Sequence, residues 1–278
     1  MALLGPAQVR ALADELGLNP TKKLGQNFVI DPNTVRKIAA VAGAGPDDWV
    51  LEVGPGLGSL TLALLETGAR VSAVEIDDRL AGRLPQTVSE YVPGAHFDVR
   101  CEDAVSMPAV GSPNLFVANL PYNTGVPILL NALQNFPTVQ SGVVMVQQEV
   151  AARLTAAPGS RVYGIPTVKA AWWAATRSAG RVGAEVFWPA PNVQSGLVAF
   201  ERRPVAEPEL RTETFAAIDA AFAQRRKMLR SALRGWAAPL DASEVLQSAG
   251  IDPSLRGEAL TVAEFRALAS AKSEMLAP

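Results

Sequence analysis

Cysteine and histidine are almost absent from this chain. Cys101 is the only cysteine and His96 the only histidine among 278 residues. A lone cysteine excludes an intramolecular disulfide, and the two scarcities together exclude a cysteine-based or multi-histidine metal site. Long apolar runs are missing too. Hydrophobic residues make up 49% of the chain, yet no run reaches the ~18 residues that a membrane-spanning helix needs. Met1-Ala2-Leu3-Leu4-Gly5-Pro6 has neither a charged stretch nor a long apolar one, so no secretory signal is expected. These absences predict a soluble protein of a reducing, cytoplasmic setting, with no metal and no membrane attachment; a monomer is expected. A strong charge of one sign is also lacking. The net charge is −2, which does not mark a nucleic-acid binder.

What is present is organised in two parts. Up to about Arg203, strand-like and helix-like segments alternate. Trp49–Val53, Arg70–Ile76, His96–Arg100, Asn114–Ala118 and Val143–Val146 read as strands, with Val168–Ala175 and Gly196–Glu201 as further ones. Helices are expected over Leu60–Leu65, Asp77–Glu90 and Val126–Leu133, with Pro85 leaving the length of the second open. Such alternation predicts a mainly parallel sheet with helices on both faces, a Rossmann-like doubly wound α/β fold. The stretch Arg202–Pro208 carries two prolines and reads as a linker. Beyond it Phe215, Ile218, Phe222, Leu229 and Leu233 recur at helical spacing, and Thr261 with Glu264 resembles a capping box. The expected domains are therefore residues 1–204, α/β, and residues 205–278, small and all-helical.

A glycine-rich turn, Glu52-Val53-Gly54-Pro55-Gly56-Leu57-Gly58, follows the first of these strands. Glycines there let the backbone bend sharply and approach a ligand, and the next helix turns its free N–H groups toward it. A dinucleotide fingerprint needs a third glycine at position 59, which is Ser59. The spacing is instead G-x-G-x-G with an acid two residues before the first glycine, the usual pattern for S-adenosylmethionine. Glu75 ends the second strand, 21 positions after Gly54, where a carboxylate can accept from both ribose hydroxyls. Asp103 follows the third strand, where it could meet the adenine amino group. A nicotinamide-dependent oxidoreductase is the structural competitor.

The fourth strand ends in Asn119-Leu120-Pro121-Tyr122. Taken alone, this is an ordinary strand-ending turn. After such a cofactor loop, it suits methylation of the N6 amine of adenine. That amine is a poor nucleophile because its lone pair is delocalised into the ring. Acceptors on its two hydrogens, the Asn119 side-chain oxygen and the Leu120 carbonyl, favour a more tetrahedral nitrogen. Pro121 stiffens the backbone that presents the carbonyl. Tyr122 offers a flat face on which an unstacked base can lie, worth about 1–3 kcal/mol per base.

These segments, in this order, resemble the KsgA/RsmA-type small-subunit ribosomal RNA adenine dimethyltransferases, from about Lys22 to Phe265. Lys23-Leu24-Gly25-Gln26-Asn27-Phe28 is similar to the family's amino-terminal cofactor motif. Glu149–Leu154 and Tyr163-Gly164 resemble its central segment, and Phe187–Ser195 its F-x-P-x-P-x-V-x-S signature. Phe222–Arg230 resembles its basic helix motif. Gln148, Asn192 and Gln194 depart from the family's common residues at their positions. The resemblance implies S-adenosylmethionine as cofactor, held by Asn27, the backbone of Val29, Gly54, Gly56, Glu75, Asp103 and Asn119. It implies that Phe187 stacks on the target base opposite Tyr122; otherwise Phe187 is a core aromatic. It implies a substrate of two adjacent adenosines in the 3′-terminal hairpin of 16S rRNA within the immature 30S subunit, and a role in subunit assembly.

A ribosomal partner gives meaning to a second feature. Arg225, Arg226, Lys227, Arg230 and Arg234 fall between Ala220 and Leu240 with no acidic residue among them. A smaller basic pair is Lys22-Lys23. Otherwise a charge run is a solvated face; with such a partner the cluster becomes a phosphate-binding surface. On one continuous helix Lys227, Arg230 and Arg234 share a side, while Arg226 falls near the apolar face, so either the helix kinks there or Arg226 reaches across to the first domain. Two alternatives remain: an Erm-type 23S rRNA adenine N6-methyltransferase, and a non-catalytic RNA-binding assembly factor.

Overall fold

The computed structural model describes residues 3–18, 27–109 and 111–277. The chain begins with helix α1 (Pro6–Glu15), the short strand β1 (Phe28–Val29) and helix α2 (Pro32–Ala42). Strand and helix then alternate through β2 (Trp49–Val53), α3 (Ser59–Glu66), β3 (Arg70–Glu75), α4 (Asp78–Tyr91), β4 (Phe97–Cys101), β5 (Leu115–Asn119), α5 (Gly125–Asn135) and β6 (Ser141–Gln147). Helices α6 (Gln148–Leu154) and α7 (Ile165–Ala171) precede β7 (Ala174–Val182), β8 (Phe187–Trp188) and β9 (Ser195–Arg202). The remainder holds α8 (Arg211–Ala223), α9 (Leu229–Ala232), α10 (Arg234–Ala237), α11 (Ala242–Ser248) and α12 (Val262–Leu276). Two compact units result: Met1–Ala152 with Thr176–Arg202, and Arg153–Ala175 with Arg203–Pro278.

The first unit is built on a seven-stranded sheet in the order β4-β3-β2-β5-β6-β9-β7. Strands β4, β3, β2, β5 and β6 pair in parallel, and β9 runs antiparallel to β6. Parallel strands covered on both faces are apolar at nearly every position. Val50, Phe116, Val117, Val144 and Met145 accordingly lie fully buried. Helix α2 shows how one sequence stretch sets its own ends. Asp31 caps it by accepting from the N–H groups of Asn33 and Thr34, Pro32 opens it, and Gly43 closes it in the left-handed conformation. The chain runs outward from β2 to β3 and β4, then returns to place β5 on the other side of β2. Strand order reverses there, which opens a crevice beyond the carboxyl ends of β2 and β5.

The structure corrects two expectations from sequence. Residues 168–175 are not one strand: α7 occupies Ile165–Ala171, and β7 starts at Ala174. Pro166 sits in the first helical turn, and the Thr167 hydroxyl accepts from the Gly164 N–H. Thr167 and Ala170, three positions apart, are both buried. A short apolar run does not by periodicity alone tell a buried strand from a buried helix. The division at residue 204 also differs, because residues 153–175 pack with the helical unit.

In that second unit Val168, Ile218, Leu229, Leu233, Phe265 and Leu268 form a core, and the Tyr163 hydroxyl donates to the Leu260 carbonyl at 2.8 Å. The Thr261–Glu264 capping box opens α12. The basic segment is not one helix. α8 ends at Ala223 and α9 begins at Leu229, so Arg225, Arg226 and Lys227 lie in the turn between them. Arg230 falls in α9 and Arg234 opens α10. The shared helical side expected of Lys227, Arg230 and Arg234 therefore does not exist.

Candidate active site

The turn after β2 and the acid that ends β3 are tied together. The Gly56 N–H donates to Glu75 Oε2 at 3.0 Å, and the N–H groups of Ile76 and Asp77 donate to Oε1 at 2.9 and 3.1 Å. Glu75 is buried. Burial pushes its carboxyl above the ordinary range, against the opposing pull of those three N–H groups, and the neighbouring Asp77 charge adds to the rise. Gly56 has φ +58°, and a Cβ there would lie 3.0 Å from the Phe28 ring. A side chain would both strain that backbone and fill the space the loop leaves open.

The tetrapeptide lies against the same loop. A Cβ on Gly54 would come 3.6 Å from the Asn119 carbonyl and 4.0 Å from Pro121 Cδ. Asn119 Nδ2 donates to the Asn27 carbonyl at 3.4 Å, which leaves Oδ1 as the acceptor of that amide. Leu120 is buried, and its N–H donates to the Met145 carbonyl at 3.0 Å. Tyr122 is half-buried, with its hydroxyl 2.9 Å from Ser195 Oγ.

One cavity of about 290 Å³ gathers these groups. Asn27, Val29, Gly54, Gly56, Glu75 and Asp103 line it together with Asn119, Leu120, Pro121 and Tyr122. The Val29 carbonyl accepts from the Ser59 hydroxyl at 2.7 Å, which fixes the mouth of β1 onto α3. Asp103 is exposed and accepts from the Val105 N–H at 2.9 Å. Residues 22–26 of the amino-terminal motif, with the pair Lys22-Lys23, lie outside the described residues.

Phe187 is not among the lining residues. It pairs with Val29 in the β1–β8 ladder, is only 3% exposed and packs in the core of this unit. It therefore lies in the core beside the cavity rather than in its wall. Its neighbour Trp188 stacks on Phe28 instead, with ring centroids 6.4 Å apart.

Sequence reasoning missed Ile76 and Val105, both exposed apolar side chains in the cavity wall. Ile76 directly follows the acid that ends β3, so its place in the sequence was a usable signal. Val105 sits in an irregular stretch that gave none.

In the second unit, Arg226, Lys227, Arg230 and Arg234 are exposed. Arg225 is half-buried and engaged within its own unit, with Nε donating to Glu258 at 2.8 Å and Nη2 to the Arg161 carbonyl at 2.7 Å. Among the described residues no cluster of three or more His, Cys, Asp or Glu could hold a metal ion. No helix among them is long and apolar enough to cross a membrane.

The donor set fits S-adenosylmethionine. A fixed carboxylate at Glu75 suits ribose hydroxyls, Ile76 and Val105 suit the faces of a base, and the close approach of Gly54 and Gly56 leaves room for the ligand backbone. Fold and cavity together define a Rossmann-like, S-adenosylmethionine-dependent methyltransferase. A family model described as "Ribosomal RNA adenine dimethylase" matches residues 17–272. The chain belongs to that family. It is 56% identical to the ribosomal RNA small subunit methyltransferase A of Streptomyces griseus, over 99% of this chain and 97% of that protein. It is 57% identical to the protein of the same name from Kineococcus radiotolerans, over 97% of this chain and 91% of that one. Among solved structures, a dimethyladenosine transferase from Plasmodium falciparum superposes with a TM-score of 0.74 at 22% identity, covering 87% of this chain and 95% of that one. The 23S rRNA methyltransferase ErmE superposes with a TM-score of 0.67 at 25% identity, covering 89% and 100%.

Proposed function

We propose that this protein dimethylates the N6 amines of two adjacent adenosines in the 3′-terminal hairpin of 16S rRNA. It does so on the immature small subunit, as a cytoplasmic monomer, and takes part in the assembly of that subunit. The single observation that carries this is the meeting of Asn119, Gly54 and Glu75 in one cavity at the strand-order reversal.

S-adenosylmethionine supplies an electrophilic methyl group on a sulfonium. The chain's own residues bind, orient and activate. Glu75 accepts from the ribose hydroxyls while its carboxylate stays locked by the Gly56, Ile76 and Asp77 N–H groups. Asp103 accepts from the adenine amine of the cofactor. Asn119 Oδ1 and the Leu120 carbonyl accept from the two hydrogens of the target N6. That arrangement draws the nitrogen toward a tetrahedral geometry and aims its lone pair. No strong base is needed, because the amine becomes more acidic as it is alkylated. Positioning is then the main contribution to rate. Tyr122 gives the unstacked target base a flat face, and its location beside Asn119 in the cavity wall supports that role.

The exposed cations Arg226, Lys227, Arg230 and Arg234 bind rRNA phosphates and position the protein without reading sequence. Arg225 holds the turn that carries Arg226 and Lys227, through Glu258 and the Arg161 carbonyl. The relatives' name and the 54–57% identities favour the small subunit over 23S rRNA. Incubation with labelled S-adenosylmethionine and either immature 30S particles or protein-free 23S rRNA tests the choice. Label in the 30S particles alone is expected, and label in 23S rRNA alone contradicts it.

A further inference from the structure

Ser195 opens β9 and is completely buried, yet nothing in the site as described so far uses it. Its Oγ lies 2.9 Å from the Tyr122 hydroxyl, 73 residues away in sequence, and either group can donate. Ser195 does not itself line the cavity, whereas Tyr122 does. A buried hydroxyl takes a partner within the protein, and here the partner is the hydroxyl of a residue that lines the substrate cavity. Ser195 is a rigid anchor. It pairs with Gln147 in the β6–β9 ladder, so its Cα position is fixed by the sheet. Burial pushes the Tyr122 phenol above its ordinary range, against the pull of Ser195, so the phenol stays protonated at neutral pH and the bond persists.

We infer that Ser195 is a positioning residue for methyl transfer: it clamps the Tyr122 hydroxyl and so fixes the direction in which the ring against which the target adenine lies projects from the backbone. This rests on Tyr122 being the stacking face. A tyrosine ring turns about two torsions; the hydroxyl oxygen lies on the axis of the second, so a partner there restrains the first, which swings the whole ring. Without that partner, the ring pivots and the N6 lone pair loses its alignment with the methyl group. The turnover step suffers, and binding of the methyl donor does not, because Ser195 is outside the cavity wall.

The test uses the full-length protein with 30S particles from a strain lacking it. Ser195→Ala, Tyr122→Phe and the double variant are compared with the unmodified chain for kcat, for KM of S-adenosylmethionine and for Tm. Each single variant is expected to lower kcat about tenfold, equivalent to about 1.4 kcal/mol. KM for the donor stays within about twofold, and the double variant is no slower than either single one, as for two residues acting as a unit. Wild-type kcat in Ser195→Ala overturns the role. So does multiplication of the two losses in the double variant, or a KM for the donor that climbs as Tm falls, which is the mark of a merely structural residue. Should Ser195→Ala fold poorly, Tyr122→Phe removes the same hydrogen bond and keeps the ring, and wild-type kcat there overturns the role equally. If the unmodified chain itself leaves the adenosines untouched, the proposed function fails and takes this role with it.

Discussion

Asn119 Nδ2 donates to the Asn27 carbonyl at 3.4 Å, across 92 residues of sequence. The bond sets which end of the amide is held and which is left free to accept. With the nitrogen tethered to β1's approach, the oxygen is the atom left to accept from an incoming amine in the proposed mechanism.

Asn119→Ala removes that acceptor and leaves the carbonyl of Leu120 alone. Loss of one oriented hydrogen-bonding group at a reacting centre costs about 10²–10³ in kcat. The variant is expected to keep its Tm within a few degrees and to bind rRNA as before, because Asn119 is only half-buried. Single-turnover methylation with saturating donor and particles checks it, and a rate near that of the unmodified chain removes Asn119 from the chemistry.

Glu75→Gln keeps the shape of the side chain and discards the charge. The three N–H groups of Gly56, Ile76 and Asp77 then face a neutral amide. Hydrogen bonds to a charged group are worth about 1.5–3 kcal/mol, so binding of S-adenosylmethionine is expected to weaken by about 10–100-fold. Titration calorimetry reads this directly, with an unchanged Kd counting against the ribose role.

Glu52 gives the chain a pH dependence. It is 1% exposed, and burial pushes its carboxyl from 4.5 up to about 8, with the Glu75 charge adding to the rise and Thr61 opposing it. A group whose folded pKa is raised holds its proton in the folded state after the unfolded chain has lost it. Its stability contribution is full below pH 4.5 and is lost as pH climbs toward 8. The slope from one such proton is about 1.4 kcal/mol per pH unit. The carboxyls of Glu66 and Asp77 are pulled downward by Arg36 and Arg79, so they titrate below this window. Denaturant unfolding of Glu52→Gln between pH 5 and 8 is expected to show a flatter profile than the unmodified chain. Parallel profiles contradict the assignment.

The basic turn separates two kinds of arginine. Lys227 and Arg230 are exposed, while Arg225 is bound to Glu258 and Arg161. Lys227→Glu and Arg230→Glu are each expected to weaken binding to the pre-30S particle and to reduce the salt slope by about one phosphate contact. Arg225→Ala is expected instead to lower the Tm of the chain. Filter binding across a salt series with parallel melting curves distinguishes them. Unchanged binding by both glutamate variants leaves the cluster as solvated surface.

Much of this was legible in the sequence because it is local. The G-x-G-x-G turn, the acid ending β3 and the tetrapeptide ending β5 each sit at a strand end, and strand ends at a parallel sheet's carboxyl edge converge. Their spacing along the chain therefore reported their proximity in space. What the sequence left open was non-local. Phe187 stands in a recognisable signature, but whether its ring faces the cavity depends on its pairing with Val29, some 158 positions upstream. Residues 168–175 were ambiguous because an apolar run suits a buried helix as well as a buried strand. The helical spacing around Arg226 hid a break, since Gln224 to Met228 form a turn between α8 and α9. The Tyr122–Ser195 bond joins two motifs 73 residues apart, and nothing in either reports their proximity.

The most direct measurement is mass-spectrometric mapping of methylated adenosines. Immature 30S particles from a strain lacking this protein are reacted with the purified chain and S-adenosylmethionine, and the rRNA is digested and sequenced by mass. Two adjacent N6,N6-dimethyladenosines in the 3′-terminal hairpin of 16S rRNA are the expected product. An unmodified hairpin, or methylation confined to other sites, would contradict it.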